Sequence, residues 1–230
     1  LELEDELGDA YGKFGDDNVM LITRSNKRAN LFNLQIRGRI KWLEDEIASG
    51  DYLMVVKNNY FWLTDDSKAG FIANGDIVEI QKITGYEEMY GFRFANVQVR
   101  MIDYPNEPDL EAKILLDSIL SESPSLPADK FKELYEAVSE DYGYEPNRKK
   151  RNELIRNNPY YQALQVKFAY AITCHKSQGG QWDAVFVDQG YITDEMINVD
   201  YLRWLYTAIT RAKQELYLVN FNQKFYGGED

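Results

Sequence analysis

A chain of 230 residues, 44% hydrophobic and 14% aromatic, holds enough apolar material for one large packed domain or two small ones. A single cysteine, Cys174, excludes an intrachain disulfide, and no apolar run approaches the roughly 18 residues of a membrane span. The net charge of −12 argues against a nucleic-acid partner only as a sum, because six basic residues and no acid lie between Arg24 and Lys41, and Arg203, Arg211 and Lys213 share the acid-free stretch from Tyr201 to Lys213. No signal peptide is legible, so a reducing, cytoplasmic setting is the expectation, and the opening on Leu1 rather than Met suggests a fragment or a processed product.

In chain order, residues 1–17 are acidic and without periodicity and read as a lead-in. Gly8 to Phe14, GDAYGKF, approximates a phosphate-binding loop but places three residues rather than four between its glycines, and Phe14 stands where a magnesium-holding Ser or Thr is required. Val19 to Thr23 reads as a short buried strand. Ser25 then caps a helix to about Arg37, whose Ala29, Phe32, Ile36 and Ile40 share a core-facing side. Asn26, Asn30, Asn33 and Arg37 form a second stripe. Its amides and guanidinium suit phosphate oxygens or base edges, and equally suit a solvated face.

From Gly50 the pattern turns to period two, with strands expected at Tyr52 to Val56, Ile77 to Ile83 and Phe92 to Met101, and turns at Asn74-Gly75 and Gly85. This predicts a small β-barrel inserted at residues 50–104. Tyr60, Phe61 and Trp62 either stack on bases or fill the barrel's core. Residues 105–160 are charged and divided by prolines into short helices. One carries Phe131, Leu134, Tyr135 and Val138 at helical spacing, with Gly143 as its C-terminal stop. Arg148 to Arg151 is a basic cluster on such a helix.

Phe168 to Asp188, FAYAITCHKSQGGQWDAVFVD, reads as a buried strand, a polar loop with paired glycines, and a second buried strand. Loops at the carboxyl ends of parallel strands are where open α/β sheets bind ligands. A helix over about Asp200 to Ala212 is expected to bury Leu202, Leu205, Tyr206 and Ile209, which turns Arg211 away from the core; Glu215 to Asn220 supplies a last strand. One cysteine and one histidine exclude the usual Cys/His zinc site, and no Gly-x-Ser-x-Gly elbow is present.

HKSQGGQWDAVFVD followed by RWLYTAITRAKQELYLV resembles motifs V and VI of superfamily-1 helicases of the RecD-like branch. TRSNKRANLFNLQIR resembles the segment around motif IV, and GDYLMVVKNNY with NGDIVEI resembles the SH3-like domain 2B inserted there. The resemblance implies an α/β fold: a RecA-like, P-loop NTPase-like parallel-sheet domain 2A over residues 1–49 and 161–230, an SH3-like barrel 2B over 50–104, and a helical insertion over 105–160. It implies the C-terminal half of an ATP-dependent DNA helicase, of the kind labelled exodeoxyribonuclease V alpha, with ATP and Mg2+ held against a missing N-terminal motor domain of the same polypeptide. Single-stranded DNA is then the partner, no membrane is involved, and the magnesium ligands lie outside this chain.

The same resemblance assigns Arg211 to the γ-phosphate as a catalytic finger, and Gly179, Gln181 and Arg24 to the nucleotide. Thr173, His175, Lys176 and Ser177, with Asn26, Asn30 and Arg37, fall to nucleic acid. Gln181 departs from the family's usual glutamate. A non-catalytic nucleic-acid-binding or regulatory module is the competing reading.

Overall fold

The computed structural model describes residues 2–64 and 66–226. The chain divides into two compact units, Leu1–Glu44 with Ala169–Asp230, and Asp45–Phe168. The first unit opens with helix α1 (Glu2–Phe14), strand β1 (Val19–Thr23) and helix α2 (Asn26–Gln35), which runs on as a π-helical turn over Ile36–Ile40.

The expected irregular lead-in is thus a helix. Leu7, Ala10 and Tyr11, three and four residues apart, form its buried side, while Glu2, Glu4 and Asp5 at its start and Lys13 at its end suit the helix dipole. The dense surface charge hid this narrow apolar stripe. Gly8 and Gly12 both lie inside α1, so GDAYGKF is helix and not a loop. The β1 strand is buried throughout, as its composition requires. Ser25 caps α2 by accepting from the Arg28 amide at 3.3 Å, and Ala29, Phe32 and Ile36 are buried.

The second unit contains strands β2 (Tyr52–Val55), β3 (Ile77–Met89), β4 (Phe92–Met101) and β5 (Leu110–Leu115), helices α3 (Ala128–Asp141) and α4 (Arg148–Arg156), and strand β6 (Leu164–Phe168). The five strands close a barrel in the order β2-β3-β4-β5-β6. Two of them come from outside the expected 50–104. The stretch 105–160, expected to be wholly helical, supplies β5, and the stretch after 161, expected to join the sheet domain, supplies β6. Closure explains both. The free edge of β4 takes β5, and β6 pairs antiparallel with β2 and parallel with β5, leaving no exposed edge.

Gly85, expected as a turn, lies within β3 at a break in its register with β4. The hairpin turns instead at Tyr90-Gly91, where both residues adopt positive φ, 56° and 74°. The expected turn at Asn74-Gly75 precedes β3, with Gly75 at φ 110°.

Leu134 and Val138 of α3 and Ile155 of α4 join Phe92, Phe94 and Leu115 in one core cluster, which is why the helical stretch belongs to the barrel unit. A polar network locks the same region. Glu87 accepts from Tyr160, Asn96 and the buried Lys113, and the Lys113 ammonium sits 4.4 Å from the Tyr160 ring centroid. The Tyr160, Asn96 and Lys113 hydrogen bonds bring the Glu87 carboxyl down to about 2.

The chain then re-enters the first unit with strands β7 (Ala171–Thr173) and β8 (Trp182–Asp188), helix α5 (Val199–Ile209) and strand β9 (Ala212–Val219). The sheet is parallel throughout, in the order β7-β1-β8-β9. The apolar run Phe168 to Ile172, expected as one central strand, is divided: Phe168 ends β6 and Ala171 begins β7. Hydrophobicity demands burial but does not say in which sheet. Asn33 of α2 fixes the start of β7, donating to the Ala171 carbonyl at 2.8 Å and accepting from its amide at 2.7 Å.

Candidate functional site

The loop 174–181 joins β7 to β8, and its backbone bonds set its shape. Cys174 donates its amide to the Thr23 carbonyl at 3.1 Å, tying the loop to the carboxyl end of β1. Lys176 and Ser177 donate back to Thr173 at 2.8 and 3.2 Å, and the Ser177 hydroxyl donates to the Cys174 carbonyl at 2.8 Å. Ser177 is therefore fully buried and shapes the turn. His175, Gly179 and Gln181 are exposed, while Thr173 and Lys176 are half-buried. Partial burial of the Lys176 ammonium lowers its pKa.

Two glycines carry the loop's exit. Gly179 has φ +88°, a conformation that strains other residues. A Cβ on Gly180 would sit 2.4 Å from the Trp182 indole, so that ring packs directly on the backbone. The exit is pinned by Trp182, whose amide donates to the Arg211 carbonyl at 3.0 Å.

The loop's other wall is α5, capped by Asn198, which accepts from the amides of Asp200 and Tyr201. Its orientation departs from the expectation, with Leu205 and Ile209 only half-buried. Leu202 and Tyr206 are 55% and 69% exposed, whereas Tyr201 and Ala208 are buried and Trp204 lies stacked on Tyr201. The inward stripe is Tyr201, Trp204, Ala208 and Arg211, at spacings of three, four and three. Arg211 follows that stripe and folds back onto its own unit instead of pointing away. It donates to the Thr207 carbonyl (3.0 Å), the Gly180 carbonyl (3.2 Å) and the Thr210 hydroxyl (3.2 Å). Three of the five N–H groups of a guanidinium are thereby used, which leaves one on each terminal nitrogen.

Arg24, just beyond β1, reaches the same helix. Its guanidinium carbon is 5.7 Å from both the Tyr201 and Trp204 ring centroids, and it donates to the Tyr191 carbonyl at 3.5 Å. Cys174 donates its thiol to the Trp204 carbonyl at 3.5 Å; burial raises its pKa, partly offset by the Ser177 hydroxyl and by Arg211. Arg24, Cys174, Gly180 and Arg211 therefore gather along one side of α5, two cations on neighbouring turns.

The α2 stripe does not survive as one line. Asn33 is spent on Ala171, and Arg37 is only 3% exposed, while Asn26 and Asn30 are half-buried. The spacing located the stripe, but half of it faces the sheet. Sequence reading also passed over Arg28, which makes a two-pronged contact with the fully buried Asp188, Nη2 to Oδ1 at 2.7 Å. Asn220 donates to the same carboxylate at 2.7 Å. An acid closing the apolar run of β8 was the available sign, because a buried carboxylate demands a partner. Among the described residues, no group of three His, Cys, Asp or Glu side chains is placed to hold a metal ion.

The first unit is thus of the α/β class, a parallel sheet whose β7–β8 loop is bonded to the end of the helix that follows β8. Residues 168–219 match the UvrD-like helicase C-terminal domain family, a span that contains the whole of this loop, β8, α5 and β9. No curated protein sequence matches the chain. Among solved structures, the chain is similar to the Pif1 helicase from Candida albicans at 13% identity and a TM-score of 0.47, over 92% of this chain and 47% of the other. A Bacteroides Pif1 helicase in complex with ADP-AlF3 and single-stranded DNA gives 12% identity and a TM-score of 0.46, over 98% of this chain and 48% of the other. The chain spans about half the length of these helicases.

Proposed function

We propose that this chain is the second motor domain of a RecD-like superfamily-1 DNA helicase, with the barrel as its inserted SH3-like domain 2B, working with a domain that carries the phosphate loop. The observation that carries the reading is the bond from Arg211 to the Gly180 carbonyl, inside the span that matches the helicase family. It joins the loop assigned to the DNA strand to the helix end assigned to the nucleotide, so displacement of one is felt by the other.

The residues fit ATP in a limited way. Bound ATP supplies the phosphoanhydride that is split. Arg211 offers one N–H from each terminal nitrogen to phosphate oxygens, a paired geometry that phosphate accepts well. The exposed Gln181 would be free to hydrogen-bond a sugar hydroxyl, and Arg24 would add positive charge along the same helix. Magnesium ligands would come from the partner domain. Thr173, His175 and Lys176, with Asn26 and Asn30, are offered to the strand backbone; Ser177 and Arg37 are buried and fall outside this set.

The test joins this chain to its phosphate-loop domain and measures ATP hydrolysis with and without single-stranded DNA. Arginine fingers are worth on the order of 10³ to 10⁵ in turnover, roughly 4 to 7 kcal/mol. Arg211→Ala should lose that factor while nucleotide affinity falls far less, and Arg211→Lys should not restore it. Because Arg211 also bonds Gly180, the alanine variant should lose about 1 kcal/mol of stability as well. DNA-stimulated turnover within tenfold of wild type would overturn the assignment. So would robust turnover by this chain alone.

A further inference from the structure

The barrel unit holds a cavity of about 320 Å³ whose walls are Lys57, Gln165, Phe131 and the run Ser123 to Ala128. Three independent features of its lining favour a negatively charged, acceptor-rich guest. Gln165 is only 4% exposed. Its Oε1 accepts from the Leu126 amide at 3.0 Å, while its Nε2 donates to no group among the described residues. Gln165 lines the cavity, so this donor is open to a ligand acceptor there. Lys57 lines the same cavity, its ammonium 3.5 Å from the Phe131 ring centroid and engaged in no ion pair among the described residues. Partial desolvation by the Phe131 side of the cavity lowers its pKa, although the residue as a whole is exposed.

The third feature is helix α3, of 14 residues, which begins at the cavity with Pro127 as its N-cap and no side-chain cap. Its first amides and the positive end of its dipole face outward there. Asp129 lies in the first turn of α3 and Glu122 precedes the helix in sequence, but neither lines the cavity. Pro124, Leu126, Pro127 and Phe131 complete an apolar wall. The volume exceeds that of a bare phosphate and falls at the lower end of the range for small-molecule sites.

We infer that this cavity is a binding site for a phosphate group carried on a sugar, taken from a free nucleotide or from the backbone of a single strand, held by Lys57, Gln165 and the amides of α3. The site lies wholly within residues 45–168 and does not depend on the assignment of Arg211 or of the loop 174–181. In it, Lys57 and the α3 amides meet the phosphate oxygens, Gln165 donates to a further oxygen, and the apolar wall takes the sugar.

The test is residue-resolved NMR of the full chain titrated with thymidine 5′-monophosphate and, separately, with a short oligo(dT). Shifts should map to Lys57, Ser123 to Phe131 and the Gln165 side-chain amide in the monophosphate titration. A matching set in the oligo(dT) titration assigns the site to the strand backbone; its absence there assigns it to free nucleotide. Lys57 lies on the surface, so Lys57→Ala should fold, and it should weaken binding roughly tenfold. Lys130→Ala, a loss of charge on the same helix outside the cavity, should leave affinity unchanged. The inference is overturned if neither ligand shifts these resonances, if thymidine binds as well as its monophosphate, or if Lys57→Ala binds as tightly as wild type. Oligo(dT) shifts confined to residues 173–177 would overturn this site while leaving the proposed strand contacts in place.

Discussion

Single side chains set much of this structure, and Asn33 shows how. One planar amide satisfies both the amide and the carbonyl of Ala171, on an edge strand only three residues long. Asn33→Ala would leave both backbone groups buried without these partners, at a cost of about 2 to 4 kcal/mol. Urea denaturation should show a lower midpoint with an unchanged slope. Retention of the wild-type midpoint would mean that water or a shifted α2 replaces the amide. Glu87 gives a second case, with a definite pH signature. Its folded carboxyl, at about 2, lies below the ordinary 4.5, so the unfolded chain binds the proton more readily. The stabilisation is complete above pH 4.5 and is lost as the pH falls toward 2. In Glu87→Gln the decline in thermal midpoint between those values should be shallower than in wild type. Parallel declines would show that Tyr160, Asn96 and Lys113 do not hold the carboxylate in solution.

At the scale of elements, the sequence was most informative where the pattern was local. The buried strand at Val19–Thr23, the Ser25 cap and β4 over Phe92–Met101 follow from residues adjacent in the chain. Long-range pairing was not legible: Leu110–Leu115 becomes a strand only because the edge of β4 is available to it. Helix α5 was misread for a different reason. It has two apolar faces, and the more hydrophobic one, Leu202 and Tyr206, is exposed, while aromatic Tyr201 and Trp204 turn inward to meet Arg24 and Cys174. Amphipathicity picks the apolar side only when there is one. The orientation can be tested. Leu202→Lys and Tyr206→Ser should each shift stability by about 0.5 kcal/mol or less. Ala208→Leu, at a position with no exposure, should cost about 1 to 3 kcal/mol by overcrowding. The reverse ranking in thermal melts would restore the face read from the sequence.

At the scale of the whole molecule, the chain builds one unit, leaves it at Glu44, builds a second, and returns at Ala169. Each unit pairs its strands within itself, the first in an open parallel sheet and the second in a barrel without free edges. The sequence announced the insertion by its change of period near Gly50 but not its extent, because the returning strand β6 and the following β7 form one unbroken apolar stretch. Units with separate cores open separately unless the contacts between them dominate. Native-state hydrogen exchange should therefore sort the slow amides into two groups, each with its own opening free energy and its own denaturant dependence. One group contains β1 and β8, the other β3, β4 and β6, and the boundaries should fall near residues 44–45 and 168–169. Within the second group the helices α3 and α4 should open with the barrel, since Leu134, Val138 and Ile155 share its core with Phe94 and Leu115. Asn33→Ala sharpens the test, for it should lower the opening free energy of the first group and leave the second unchanged. A loss spread equally over both groups would mean that the chain unfolds as a single cooperative unit.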